Sequence, residues 1–195
     1  MKIFYRVSDK QSLKDRNNLF KESGMPALEK NGFVFAPFKG SWHGQYYGAI
    51  QGYSYDISRI REKGRLEMIY VEIIRGEPWI QIYLNIFELS PKIETLSLLT
   101  DGEGLKFGMP EKDSTKMRLR LDDYRGLRLF HCFLPRHKIG RYYTQKGYKR
   151  EIATLKNLIK SDMENIDDFV KRWHELHKPY TTDFEGNILN MESFE

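Results

Sequence analysis

Residues 53–88, YSYDISRIREKGRLEMIYVEIIRGEPWIQIYLNIFE, decide the fold. Turn signals at Glu62-Lys63-Gly64 and Arg75-Gly76-Glu77-Pro78 divide the stretch into three runs with period-2 alternation, which predicts three hairpin-linked antiparallel strands. If the turns set the register, Ile57, Ile69 and Leu84 lie side by side, flanked by Tyr55, Val71, Ile82 and by Tyr53, Ile73, Ile80. That side is the expected core, each buried side chain contributing roughly 1.5–3 kcal/mol. Successive side chains alternate across a strand, so the other side carries Ser54, Asp56, Ser58, Met68, Tyr70, Glu72, Gln81, Tyr83 and Asn85. A water-facing sheet would favour Lys, Glu and Thr, and a helix-covered one would be aliphatic. This side mixes rings with amides, hydroxyls and carboxylates.

Outward from the meander, residues 2–7 (KIFYRV) read as a first strand, and Ser12 followed by Asp15 as the start of a short helix that Gly24 and Pro26 end near Ser23. Residues 93–99 and 105–107 are candidate strands about the Asp101-Gly102-Glu103-Gly104 turn. Met117, Leu119 and Leu121 alternate with Lys116, Arg118 and Arg120, giving a strand over 116–122 with a basic outer row, and residues 127–133 supply its partner. Helical spacing of Ile152, Leu155 and Ile159 starts a helix near Gly147. Ser161 and Glu164 form a capping-box pattern that begins a second one carrying Ile166, Phe169, Val170, Trp173 and Leu176. Pro179 stops it, and residues 180–195 read as an extended acidic tail. The fold class is therefore α+β: a mainly antiparallel sheet, a short N-terminal helix and two C-terminal helices packed on the sheet. With no repeat, low-complexity linker or compositional break, residues 1–195 read as one domain.

At 195 residues, with 40% hydrophobic, 30% charged and 14% aromatic residues, the chain is long and apolar enough to build a core without staples. The single cysteine, Cys132, excludes an intrachain disulfide and a four-cysteine zinc site, and a cytoplasmic protein is the simplest expectation. The apolar run at the N-terminus is too short for a signal-peptide core or a membrane span. The net charge of +5 is unevenly placed: residues 116–150 hold eleven Lys or Arg against two Asp, and residues 161–195 hold nine acids against three bases. Either the acidic segment lies over the basic one, or the basic one is a polyanion surface.

Three features bear on function. The ring-and-amide side of the meander, with Asp56, Tyr70, Glu72, Gln81, Tyr83 and Asn85, has the composition of a ligand site. Residues 33–55 (FVFAPFKGSWHGQYYGAIQGYSY) hold eight aromatics and one Lys, and Trp42, Tyr46 and Tyr47 are the natural stacking platforms. The basic stretch offers Arg118, Arg120, Arg136, Lys138, Arg141 and Lys146 as phosphate contacts among tyrosines, without a nucleic-acid-binding motif beside them. His174 and His177 in WHELH are three apart, whereas the zinc-protease pattern needs four, and no third ligand is nearby. Cys132 sits between His131 and Phe133 in an expected strand, where neighbours face opposite ways, so it reads as a structural thiol. No phosphate loop, dinucleotide fingerprint or nucleophile elbow is present.

The expectation is a non-catalytic ligand- or protein-binding module without cofactor or metal, working through the ring-and-amide side and the Trp42 loop. The alternatives are nucleic-acid or polyanion binding through 116–150, and a hydrolase using Asp56 and Glu72. A homo-oligomer is compatible with the aromatic surface and an open sheet edge.

Overall fold

The computed structural model describes residues 5–38, 40–99, 115–124, 126, 134–184 and 187–189. Helix α1 (Asp9–Leu19) passes through a π turn (Phe20–Gly24) into α2 (Met25–Lys30). Then come β1 (Val34–Phe35), β2 (His43–Tyr47), β3 (Gly52–Arg61), β4 (Arg65–Ile74), β5 (Gln81–Leu89), β6 (Met117–Arg118), α3 (Gln145–Glu164), α4 (Ile166–Leu176) and β7 (Tyr180–Thr182). The sheet runs β1-β3-β4-β5-β6, with β2 also on β3 and β7 also on β5; every pairing is antiparallel except β5 with β7. This is an α+β arrangement.

The meander has the register its turns predict. Ile57 lies opposite Ile69 and Ile69 opposite Leu84; Tyr55 faces Val71, Val71 faces Ile82, and Tyr53 faces Ile73. All but Tyr53 are buried, in one cluster with Leu13, Leu28, Leu155, Ile159, Phe169 and Trp173, so the helices cover this side of the sheet. A second cluster of Ala36, Phe38, Leu66, Met68, Phe87, Leu89 and Ile93 covers one end of the other side.

Elsewhere the chain departs from the sequence expectations. The first helix begins at Asp9, with the Ser8 side chain accepting from the Gln11 N–H, and it does not stop near Ser23. Met25 donates its N–H to Phe20 O, a five-residue span, and Pro26 falls in the first turn of α2, where its missing N–H removes no helix bond. Gly24 is required because a Cβ there would stand 2.6 Å from the Phe20 ring and 3.2 Å from Ile159 on α3. Tyr5 to Ser8 form no strand; Tyr5 donates to Tyr143 O instead.

Residues 93–99 are not a strand either. Ile93 turns into the second cluster and Leu96–Leu99 is a 3-10 turn. The strand expected over 116–122 shortens to Met117–Arg118, because Arg120 takes φ 60 and the chain turns. Residues 105–107 and 127–133 lie outside the described residues. α3 begins at Gln145, near Gly147 as expected, and is capped by Thr144, whose side chain accepts from Gly147 N–H. Ser161 caps nothing: α3 continues past it, and the break comes at Asn165, whose side-chain and backbone N–H groups both donate to Ser161 O. α4 ends at Leu176, before Pro179. Tyr180–Thr182 join the sheet as β7 where an acidic tail was expected.

Candidate functional site

In a β-sheet, residues directly opposite one another share a face, so the pairings fix what lies on the side away from the main helices. One row runs Ser54–Glu72–Gln81, the next Asp56–Tyr70–Tyr83–Arg118, and a third Ser58–Met68–Asn85. Trp79 pairs with Lys138, bringing both to the same side. The third row is fully buried under the second cluster. Asn85 is thus a support residue, accepting 2.9 Å from Ile86 N–H and 3.1 Å from the Thr115 hydroxyl. In the first two rows every member except the buried Ser54 is half-buried.

The polar atoms of these rows hold one another. The Tyr70 hydroxyl donates to Glu72 at 2.7 Å, the Tyr83 hydroxyl donates to Gln81 at 2.5 Å, and Gln81 donates to Glu77 at 2.9 Å. Each tyrosine reaches along its own strand to the residue two positions away, the nearest neighbour on the same face. Burial pushes the phenol of Tyr70 well above its ordinary range, and the Glu72 carboxylate adds to this. Burial also raises Tyr83, opposed by the Arg118 charge. Asp56 is held by the Trp42 backbone: its carboxylate accepts the Trp42 N–H at 2.7 Å and its own N–H donates to Trp42 O at 2.6 Å. Burial raises the Asp56 carboxyl, against the lowering effect of that hydrogen bond.

Three cations lie over three rings. Lys116 Nζ is 4.3 Å from the Tyr83 centroid and 5.1 Å from that of Tyr70. The Arg118 guanidinium is 4.9 Å from Trp79 and 5.9 Å from Tyr83, and Lys138 Nζ is 5.1 Å from Trp79. The order is therefore Tyr70, Lys116, Tyr83, Arg118, Trp79, Lys138, alternating ring and charge. Each contact is worth about 0.5–1 kcal/mol at exposed sites, and together they fix where the cations stand.

The expected ligand-binding set is only partly brought together. Asp56, Tyr70, Glu72, Gln81 and Tyr83 are contiguous. Tyr47 lies opposite Gly52 and so on the same side, and the Trp42 ring packs on it, tilted by 33°, with centroids 4.4 Å apart. Tyr46 points the other way, with its ring 5.6 Å from Tyr53. The basic set divides too. Arg118 and Lys138 are on the ring-and-amide side, whereas Arg120 forms a two-pronged pair with Asp162 of α3 at 2.5 and 2.6 Å. Arg136 is half-buried, and Arg141 and Lys146 are exposed near the start of α3.

Lys116 and Trp79 were absent from the expected site. Alternation put Lys116 on a basic outer row, but only the long-range pairing of β6 with β5 shows that this row overlies Tyr70 and Tyr83. The trio of buried His137 and Asp162 with half-buried Arg120 had no local signal either; His137 Nε2 lies 2.7 Å from Asp162 Oδ2.

Other groups are structural. Arg59 is buried between Glu67 and Asp167, and Asp167 also accepts from Arg61 at 2.6 Å. His174 and His177 both pack on the Trp173 ring, and His174 Nε2 faces Arg65 at 3.3 Å. Burial and that arginine hold the His174 imidazole below its usual pKa. Among the described residues no group of three His, Cys, Asp or Glu could hold a metal, and no helix is long and apolar enough to cross a membrane. Clefts of about 430, 290 and 210 Å³ lie beside His174 and Tyr180, beside Arg61 and Asp167, and beside Arg6 and Pro78. The second is rimmed by the Arg59, Arg61, Glu67 and Asp167 side chains already spent on ion pairs. Comparison with family models, with curated proteins and with solved structures finds no match.

Proposed function

We propose that this protein is a non-catalytic, cytoplasmic binding module whose working surface is the ring-and-amide side of the sheet, and that its ligand is small and polar. The observation that carries this reading is the row Asp56–Tyr70–Tyr83–Arg118, half-buried, with its polar atoms already oriented by mutual hydrogen bonds. Side chains fixed before binding lose little entropy on binding, and a few placed polar groups among rings supply orientation. Trp42 and Trp79 are on or beside this surface and Trp173 is in the core, so quenching of tryptophan fluorescence reports on it. A panel of amino carboxylates, nucleoside monophosphates and monosaccharides should include a quencher whose effect is abolished in Tyr70→Ala and Tyr83→Ala chains that still unfold cooperatively. Equal quenching in those variants would remove the proposal.

The second reading, binding of a nucleic acid or other polyanion, draws support from the ladder of Lys116, Arg118 and Lys138 over rings, since single-strand binding combines phosphate neutralisation with stacking. Three phosphate contacts predict retention on single-stranded DNA that falls with salt at a logarithmic slope of about −2. Salt-indifferent retention, or retention unchanged in Arg118→Met with Lys138→Met, would end this reading. A hydrolase with Asp56 and Glu72 as acid and base has less behind it: they share a face, but each carboxylate already holds a hydrogen-bond donor.

A further inference from the structure

The surface is divided in charge. Its β3–β4 side carries Asp56 and Glu72, beside the packed rings of Trp42 and Tyr47. Its β5–β6 side carries Lys116, Arg118 and Lys138, each set on the ring of Tyr70, Tyr83 or Trp79. Among the described residues two further acids stand at the margin, Glu77, which accepts from the Gln81 side chain, and Asp122, which accepts from the Arg118 backbone N–H; Asp56 and Glu72 are the acids that lie in the two rows themselves. A polyanion laid over the whole face would press on Asp56 and Glu72, and a polycation would press on the ladder. Only a ligand carrying both signs meets complementary charge at both ends.

Resting on the binding reading above, we infer that the ligand is a zwitterion, with its ammonium end toward Asp56 and Glu72 and its anionic end toward Arg118 and Lys138. Asp56 and Arg118 are three strand spacings apart, about 14 Å at roughly 4.8 Å each. The ligand's charges are therefore separated by a spacer of that order, lying across Tyr70 and Tyr83. Rings beside carboxylates suit an ammonium group, and a guanidinium suits a carboxylate or phosphate.

Linear amino carboxylates serve as a ruler for this separation. Glycine, 6-aminohexanoate, 8-aminooctanoate and 12-aminododecanoate are titrated against tryptophan fluorescence of the full chain, with octanoate and octylammonium as singly charged controls. Affinity should rise from glycine to the longer members, and 8-aminooctanoate or 12-aminododecanoate should bind at least tenfold more tightly than either control. Arg118→Met should reduce the best zwitterion to the level of octylammonium, and Glu72→Gln to that of octanoate, while Lys138→Met provides a second surface variant in case Arg118→Met unfolds.

Octanoate matching 8-aminooctanoate would overturn the inference in favour of an anion-only site. Octylammonium matching it, or affinity independent of spacing, would overturn it while leaving the binding module standing. Silence of every probe together with silence of the wider panel would remove both.

Discussion

Replacing Arg16 tests how the hairpin bearing Trp79 is held. Arg16 is 0% exposed and is engaged by carbonyls: it donates to Trp79 O at 2.5 Å, to Ile74 O at 3.0 Å and to Ser12 O at 3.2 Å. Burial without a paired carboxylate lowers its pKa to about 10. On a scale of about 1.4 kcal/mol per unit, that is about 3 kcal/mol of desolvation held against the fold. Arg16→Met relieves this but orphans the Ile74 and Trp79 carbonyls, at about 1–3 kcal/mol each, so the net loss should be about 1 kcal/mol at mid-range and no more than about 3 kcal/mol. Arg16→Lys keeps a buried charge yet has no fork to span two carbonyls, and should lose about 3–5 kcal/mol. Urea unfolding with an unchanged m-value measures both. If lysine proves better tolerated than methionine, charge and not the planar fork is what the site needs, and the reasoning is wrong.

Burial holds the phenols of Tyr55, Tyr70 and Tyr148 above their ordinary range; the stability they add is complete below about pH 10 and lost as pH rises beyond it, so phenolate absorbance should show three of the tyrosines ionising only as the chain unfolds. At the acid end Asp162 and Asp167 are lowered by the charges and hydrogen bonds of Arg120 with His137, and of Arg59 with Arg61. Their contribution is present above the ordinary carboxylate range and fades as pH falls through it, whereas Asp56, raised by burial, acts in the opposite sense; thermal unfolding of Asp162→Asn should lose most of this acid dependence and about 3 kcal/mol at neutral pH. Thr144→Ala should cost about 1 kcal/mol through loss of the α3 cap, and a change below a few tenths in the urea midpoint energy would show that water replaces it.

The meander was legible because its information is local: Glu62-Lys63-Gly64 and Arg75-Gly76 set the register of Ile57, Ile69 and Leu84 within a few residues of each pairing. The expected ring-and-amide side followed from the same alternation. What alternation cannot show is which rows are covered; Met68 lost its exposure to Phe38 and Ile93, and Asn85 is buried with Thr115 on its amide oxygen, all arriving from distant parts of the chain. Helix ends were misplaced for a similar reason. Gly24 and Pro26 are helix breakers by propensity, but packing against Ile159 and a wide π turn carry the helix through them. β6 and β7 are fixed by edges of β5 far away in sequence, and no turn residue announces either pairing.

The two sides of the sheet are linked through one carboxylate. Asp162 of α3, on the helix side, accepts from Arg120 and lies 2.7 Å from His137 Nε2. Arg120 is two residues beyond Arg118 and sits at φ 60, a conformation that costs roughly 1–3 kcal/mol and persists only where surroundings impose it; the guanidinium paired with Asp162 and the turn hydrogen bonds from Leu121 and Asp122 N–H to Arg118 O hold it there. His137 immediately precedes Lys138, and its carbonyl accepts the Ile80 N–H at 2.8 Å. The backbone positions of Arg118 and Lys138 therefore both answer to Asp162, although neither cation touches it. A ladder of rings and charges would fray if it depended on cation–π contacts of about 0.5–1 kcal/mol. Anchoring both of its strands to a buried ion pair behind the sheet is what makes it a fixed surface.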